Sequence, residues 1–303
     1  MKVLILNHPY EVCGVHQFAK RIFEIVENSS RVEYEYCVVG SLDQYRYALE
    51  TSKPDYALTN YHWDRMPWLS PDEILSHKEL KHYFIYHDGS MMPVYDKYLF
   101  FGDLDPNRTA TPPHKRALLP RPLLKYKGDY PQNKVFTVGS FGFVARYKRF
   151  PELVRLVNRI CQEAIINLHI TRPYFGDKPG ASFMELAMQC QRGVTKPGIK
   201  LNINSEFVDE QGLLRFLAGN DINVFYYDDQ PNPGISSAPD YALSVKRPIA
   251  ITRVKMLRHV YTRDIIIDKH NLMSIWQKGT KPLEKFYHEW SRPNFIKAMD
   301  ELF

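Results

Sequence analysis

Short apolar runs alternate with amphipathic patterns along this chain, and the alternation stops once and then restarts. Val3 to Leu6 is the first run. It is followed by NHPYEVCGVHQ and then FAKRIFEIVEN, in which Phe18, Ile22, Ile25 and Val26 recur near helical spacing. Strands are expected next at Tyr34–Val39, Tyr56–Thr59 and Lys81–Tyr86, with a short helix over Leu42–Leu49. From Gly102 to Gln132 the text turns proline-rich and regular structure is interrupted. The pattern then resumes with strands at Val135–Val138, Ile165–Ile170, Ile199–Ile203, Ile222–Tyr226 and Pro248–Ile251, and a last one at Asp264–Ile267. Helices are expected over Phe150–Cys161, Phe183–Cys190, Asp209–Leu217 and Ser237–Val245. Buried strands joined by helices build parallel sheets covered on both faces. The expectation is therefore α/β: two Rossmann-like domains with parallel sheets facing an interdomain cleft. Residues 1–130 form the first, 131–280 the second, and 281–303 a helical tail that packs back on the first.

Length allows this, since 303 residues suffice for two ordinary domains. The net charge of +6 suits anionic partners. Basic residues stand singly or in short groups such as RYKR, too few together for a nucleic-acid module. The cysteines at 13, 37, 161 and 190 form no knuckle spacing, so neither a disulfide framework nor a zinc site is expected. The opening KVLILN is too short for a signal or a membrane span. A cytoplasmic setting, no metal and no transmembrane segment are the expectations.

Four segments carry candidate chemistry. Ligands in open α/β sheets bind outside the carboxyl ends of the strands. GSFGFVARYKRF places Gly139 and Gly142 after a strand, where glycine admits close backbone approach. Arg146 and Lys148 follow, with charge suited to a diphosphate. The alternative is a solvated basic turn. In YYDDQPNPGISSAPDYALSVKRP, Ser236 and Ser237 precede a helix and leave its first N–H groups for a ligand. Asp240 would offset the helix dipole or accept from a ligand hydroxyl. In NHPYEVCGVHQF a single glycine, Gly14, stands where an NAD-binding domain would have three, so NAD is not expected. His16 reads as a local cap or surface group. In YHDG, His87 ends an apolar run at the ligand-facing edge, with Asp88 near enough to orient it or to hold it in a purely structural role.

Taken in order, these segments resemble the GT-B glycosyltransferases, closest to the large retaining group-4 family. Cys13-Gly14-Val15 stands for that family's GGV loop, and His87 for its histidine. Gly139-Ser140 stands for its G-R pair and Lys148-Arg149 for its K-G pair, so the arginine and one glycine are replaced. Arg146 supplies charge from a shifted position. The family's final motif carries two glutamates; here GISSAPDYALSVKRPIAI has neither, and Tyr241 occupies the second position with Asp240 beside it.

The resemblance implies transfer of a sugar from a nucleotide-sugar donor to an acceptor hydroxyl, with retention and without a metal or separate cofactor. The catalytic set would be His87, Arg146 and Lys148. Gly14, Gly139, Ser140, Gly142, Ser236, Ser237 and Asp240 would line the substrates. The acceptor would be a glycan or another hydroxyl compound, modified nucleic acid included. The missing glutamates keep a second reading open: a non-catalytic nucleotide-sugar or glycan-binding protein of the same fold.

Overall fold

The computed structural model describes residues 1–87, 94–104, 111–172, 180–231, 234–268 and 271–303. The chain forms two compact units. One contains Met1–Pro122 with Glu289–Phe303, the other Leu123–His288.

The first unit runs β1 (Lys2–Asn7), α1 (Gly14–Val26), β2 (Glu33–Val38), α2 (Leu42–Ser52), β3 (Tyr56–Thr59), α3 (Pro71–Ser76), β4 (Lys81–Ile85), β5 (Lys97–Phe101) and β6 (Arg116–Leu119). The six strands make one sheet in the order β2-β1-β3-β4-β5-β6, every pairing parallel. β1 shows why its sequence is apolar throughout. Val3 and Ile5 enter one core with Phe18 and Ile22 of α1, while Leu4 and Leu6 enter the other with Tyr45 and Leu49 of α2. With both faces covered, no strand position is free to be polar until the strand ends. β5 and β6 were not expected from the sequence. β6 lies inside the proline-rich passage, where its four residues pair on one side only, at the sheet edge.

The second unit runs β7 (Thr137–Phe143), α4 (Phe150–Ile160), β8 (Ala164–Thr171), α5 (Ala181–Arg192), β9 (Ile199–Asn204), α6 (Glu210–Ala218), β10 (Ile222–Phe225), α7 (Ala238–Ser244), β11 (Ile249–Ile251), α8 (Leu272–Gln277) and α9 (Glu284–Glu289), whose last residue belongs to the first unit. Its strands are again parallel, in the order β11-β10-β7-β8-β9. α4 buries Phe150, Leu153, Val154 and Val157 against Ile166, Leu168 and Ile170.

Two elements differ from the expectation. The strand read as 135–138 extends through Gly139, Ser140 and Gly142 to Phe143. Small residues resemble a loop in sequence, but in the middle of a sheet they make room for neighbours. The strand expected at Asp264–Ile267 is a 3-10 turn, Arg263–Ile265, with a single bridge from Ile266 to Ile251.

The chain ends in α10 (Arg292–Asp300), which returns to the first unit. Phe295 and Met299 are fully buried in the α1 core. Asp300 accepts hydrogen bonds from Ser29 Oγ and from the Tyr34 hydroxyl at 3.1 Å. Arg292 donates to the carbonyls of Glu24 and Ile25 at the end of α1.

Candidate functional site

Both sheets have a place where successive connections leave in opposite directions. In the first, the chain moves from β1 outward to β2 and then crosses back to β3, so the reversal lies between β1 and β3. In the second it moves from β7 through β8 to β9 and then returns to β10, so the reversal lies between β7 and β10. Such switch points open a crevice at the carboxyl ends of the strands.

In the second unit, Lys148 is the central group. It sits in a 3-10 turn, Arg146–Lys148, directly after β7. Its side chain is buried, and its Nζ fills the space that Gly142 leaves empty. A Cβ on Gly142 would lie 2.1 Å from that nitrogen, and Gly142 has φ +149°. The ammonium stands 5.8 Å from the Phe143 ring centre and 5.7 Å from that of Tyr227. No carboxylate pairs with it among the described residues, and burial alone brings its pKa down to about 7. A buried ammonium without a counter-ion is costly, and an anionic ligand would offset that cost.

The surrounding loops are tied across the switch point. The Asp228 backbone N–H donates to the Tyr147 carbonyl at 2.7 Å, and Arg149 pairs with Asp228 at 2.7 Å. Arg149 also stacks on the Tyr226 ring and has φ +48°. Its charge therefore has protein partners, whereas Arg146 projects into solvent. Ser236 Oγ accepts from the Ala238 N–H at 3.3 Å, and Ser237 is the N-cap residue of α7.

In the first unit, three adjacent strands end on polar side chains: Asn7 on β1, Asn60 after β3 and His87 after β4. Asn7 and Asn60 are fully buried. Asn60 Nδ2 donates to Asn7 Oδ1 at 2.7 Å and to the Val15 carbonyl at 2.9 Å. Asn60 Oδ1 bonds His87 Nε2. Burial pulls the His87 pKa down to about 3, helped by His62, Arg121 and His8 nearby, so the ring is neutral at working pH. His8 is similarly pulled down to about 3 by burial, with His16, His62 and Arg65 adding to the effect. Phe18 packs its edge on the His87 ring at 5.4 Å.

No protein-family model and no curated protein matches this chain. Solved structures do. HepE (Alr3699) of Anabaena, crystallised with UDP and glucose, is similar over 100% of this chain and 99% of its own, with a TM-score of 0.63 at 11% identity. AviGT4, a glycosyltransferase involved in avilamycin A biosynthesis, gives 0.63 at 9% identity over 99% and 96% of the two chains. The lipopolysaccharide outer core galactosyltransferase WaaB, in its apo form, gives 0.55 at 12% identity over 100% of both. The fold is GT-B.

On this GT-B frame the sequence-chosen residues separate into two groups. Lys148, Gly142, Arg146, Ser236 and Ser237 gather around the carboxyl ends of β7 and β10. Gly14 stands exposed at the start of α1, with open space where a Cβ would go, so packing does not require glycine there. His87 is half-buried at the end of β4. Its expected partner Asp88, with Gly89, lies outside the described residues; among the described ones, Asn60 bonds the ring.

Three of the chosen residues are buried inside the second unit. Gly139 lies in the first half of β7, and a Cβ there would fall 1.9 Å from Asn220 Nδ2. That vacancy serves an asparagine network in which Asn220 bonds Asn223 and Asn167. Ser140 is buried within the same strand. Asp240 is fully buried and lies 3.2 Å from His259 Nε2. His16, read as a surface or cap group, is buried, with Nδ1 at 2.6 Å from the His8 carbonyl.

Asn7 and Asn60 were missed. Their signal was present: VLILN and ALTN each end an apolar run on an amide, just as FIYH ends one on an imidazole. Among the described residues no group of His, Cys, Asp or Glu is placed to hold a metal ion, and no helix is long and apolar enough to cross a membrane.

Proposed function

We propose that this protein transfers a sugar from a nucleotide-sugar donor to an acceptor hydroxyl, with retention and without a metal. The observation that carries the reading is Lys148, a buried ammonium with no carboxylate partner among the described residues, at the switch point of the second unit. Such a group suits a diphosphate. It can hold the donor and stabilise the charge that develops as the sugar leaves. Arg146, exposed one turn away, adds a second cation. Gly142 leaves room for the ammonium, and Ser236 and Ser237 supply polar groups at the neighbouring loop. His87, neutral and oriented, faces the acceptor hydroxyl in the first unit's half of the reaction. HepE's complex with UDP and glucose makes UDP-sugars the first donors to try.

The test is release of nucleoside diphosphate from a panel of UDP- and GDP-sugars by the full chain, beside direct titration with UDP. Binding and release that fall at least tenfold in Lys148→Met support the assignment. Equal UDP affinity in wild type and Lys148→Met refutes it.

One observation favours the second reading, a binding protein without turnover. The acid nearest the family's second glutamate, Asp240, is committed to His259. On that reading UDP-sugars bind and depend on Lys148, but no sugar is released or transferred.

A further inference from the structure

The first unit fixes more than the position of His87: it fixes which ring nitrogen carries the proton. Backbone groups decide this, because their donor and acceptor roles are not interchangeable. The Val15 carbonyl can only accept, so the Asn60 side-chain nitrogen must face it, and Asn60 Oδ1 must face His87. Asn7 is set the same way. Its Nδ2 donates to the His16 carbonyl at 3.0 Å, and its Oδ1 accepts from the His8 N–H at 2.9 Å. The same Oδ1 accepts from Asn60 at 2.7 Å, and the same Nδ2 donates to the Tyr36 hydroxyl at 2.7 Å. Neither amide can flip without setting donor against donor or acceptor against acceptor inside a buried cluster. Because Asn60 Oδ1 is an acceptor, His87 must donate from Nε2. A neutral ring then leaves a lone pair on Nδ1, which bonds no other group among the described residues.

We infer that Asn60 is the positioning residue that holds His87 with its proton on Nε2, so that Nδ1 receives a hydrogen bond from a substrate hydroxyl. This rests on the proposed role of His87 and deepens it by naming the chemistry accepted there. The site takes a neutral group that donates a proton or hydrogen bond, a sugar or other alcohol hydroxyl. It disfavours a carboxylate or phosphate oxygen, which would meet a lone pair. The groups around the ring point the same way. His62, Arg121 and His8 all disfavour a second proton on His87.

The experiment reads the tautomer directly. Histidine-labelled full-length protein is studied by long-range ¹H–¹⁵N NMR, with His87→Gln to assign the signal, from pH 5 to 9. Wild type should show one neutral form, protonated on Nε2, across the range. Asn60→Ala should give a mixture of tautomers, and Asn60→Asp should keep the Nε2 proton while raising the ring's pKa. In parallel, release of UDP from the UDP-sugar that wild type turns over should fall about tenfold in Asn60→Ala with the donor KM unchanged. Asn60→Asp should recover rate at pH 9 and lose it toward pH 5, as the imidazolium forms and Nδ1 loses its lone pair.

A wild-type proton on Nδ1, or an unchanged tautomer in Asn60→Ala, overturns the positioning role whether or not the protein is a transferase. A tautomer that scrambles in Asn60→Ala with no change in turnover overturns the use of Nδ1 by a substrate hydroxyl and leaves the Lys148 donor site standing.

Discussion

Replacing Lys148 by methionine should make the protein more stable and worse at holding a nucleotide diphosphate. Methionine keeps the length and apolar stem of the side chain, and its thioether suits the rings of Phe143 and Tyr227. What it removes is a charge the fold accommodates poorly. The native pKa is depressed from 10.5 to about 7 by burial. Keeping the ammonium folded below pH 7 therefore costs at most about 5 kcal/mol relative to the unfolded chain. Water penetration and the two aromatic faces reduce this, so a net gain of about 1–3 kcal/mol is expected for Lys148→Met. That corresponds to a rise of roughly 2–10 °C in melting temperature for a domain of this size.

The pH dependence has a definite sign. Below pH 7 both states are protonated and the penalty is full. Between pH 7 and 10.5 the unfolded state binds more protons, so wild-type stability rises with pH. The advantage of Lys148→Met should thus be largest at pH 6–7 and shrink toward pH 10. Calorimetry across that range, with UDP titration at pH 7, reads both effects. A destabilised variant at pH 6.5, or an advantage that does not shrink with pH, would refute the claim that Lys148 is an uncompensated buried charge.

Gly142→Ala and Gly139→Ala should behave differently although both lie in β7. The first displaces the Lys148 ammonium, and UDP titration should show weaker binding; the second collides with Asn220, and melting should show a loss of about 1–3 kcal/mol with UDP affinity retained. His87→Ala should lower transfer tenfold to a hundredfold, about 1.4–2.8 kcal/mol in barrier, at unchanged UDP affinity, and full turnover in a folded variant would remove His87 from the site. Asp240→Ala leaves His259 without its buried partner and should cost about 3 kcal/mol of stability by denaturant titration. A loss of donor affinity without loss of stability there would return Asp240 to the ligand.

Several parts of this protein were legible in the chain alone. Runs such as VLIL, too apolar for one-sided burial, meant parallel sheets under helices, and the proline-rich passage separated two sets of strands. The basic turn after β7 and the histidine after β4 followed from the rule that ligands meet strand carboxyl ends. These features are local: they depend on periodicity and on where an apolar run stops. What the sequence could not show was which partners each residue meets across distances of tens of positions. Gly139 and Gly142 look alike in GSFGF, yet one accommodates Asn220 and the other Lys148. Asp240 looks like a first-turn acid, yet His259, nineteen residues on, takes it inward. Arg146 and Lys148 are neighbours in the text, but only the second is desolvated. The proton on His87 is decided by Asn60, and Asn60 by a carbonyl in α1. Burial and hydrogen-bond direction are properties of the packed chain, so only tertiary structure could assign them.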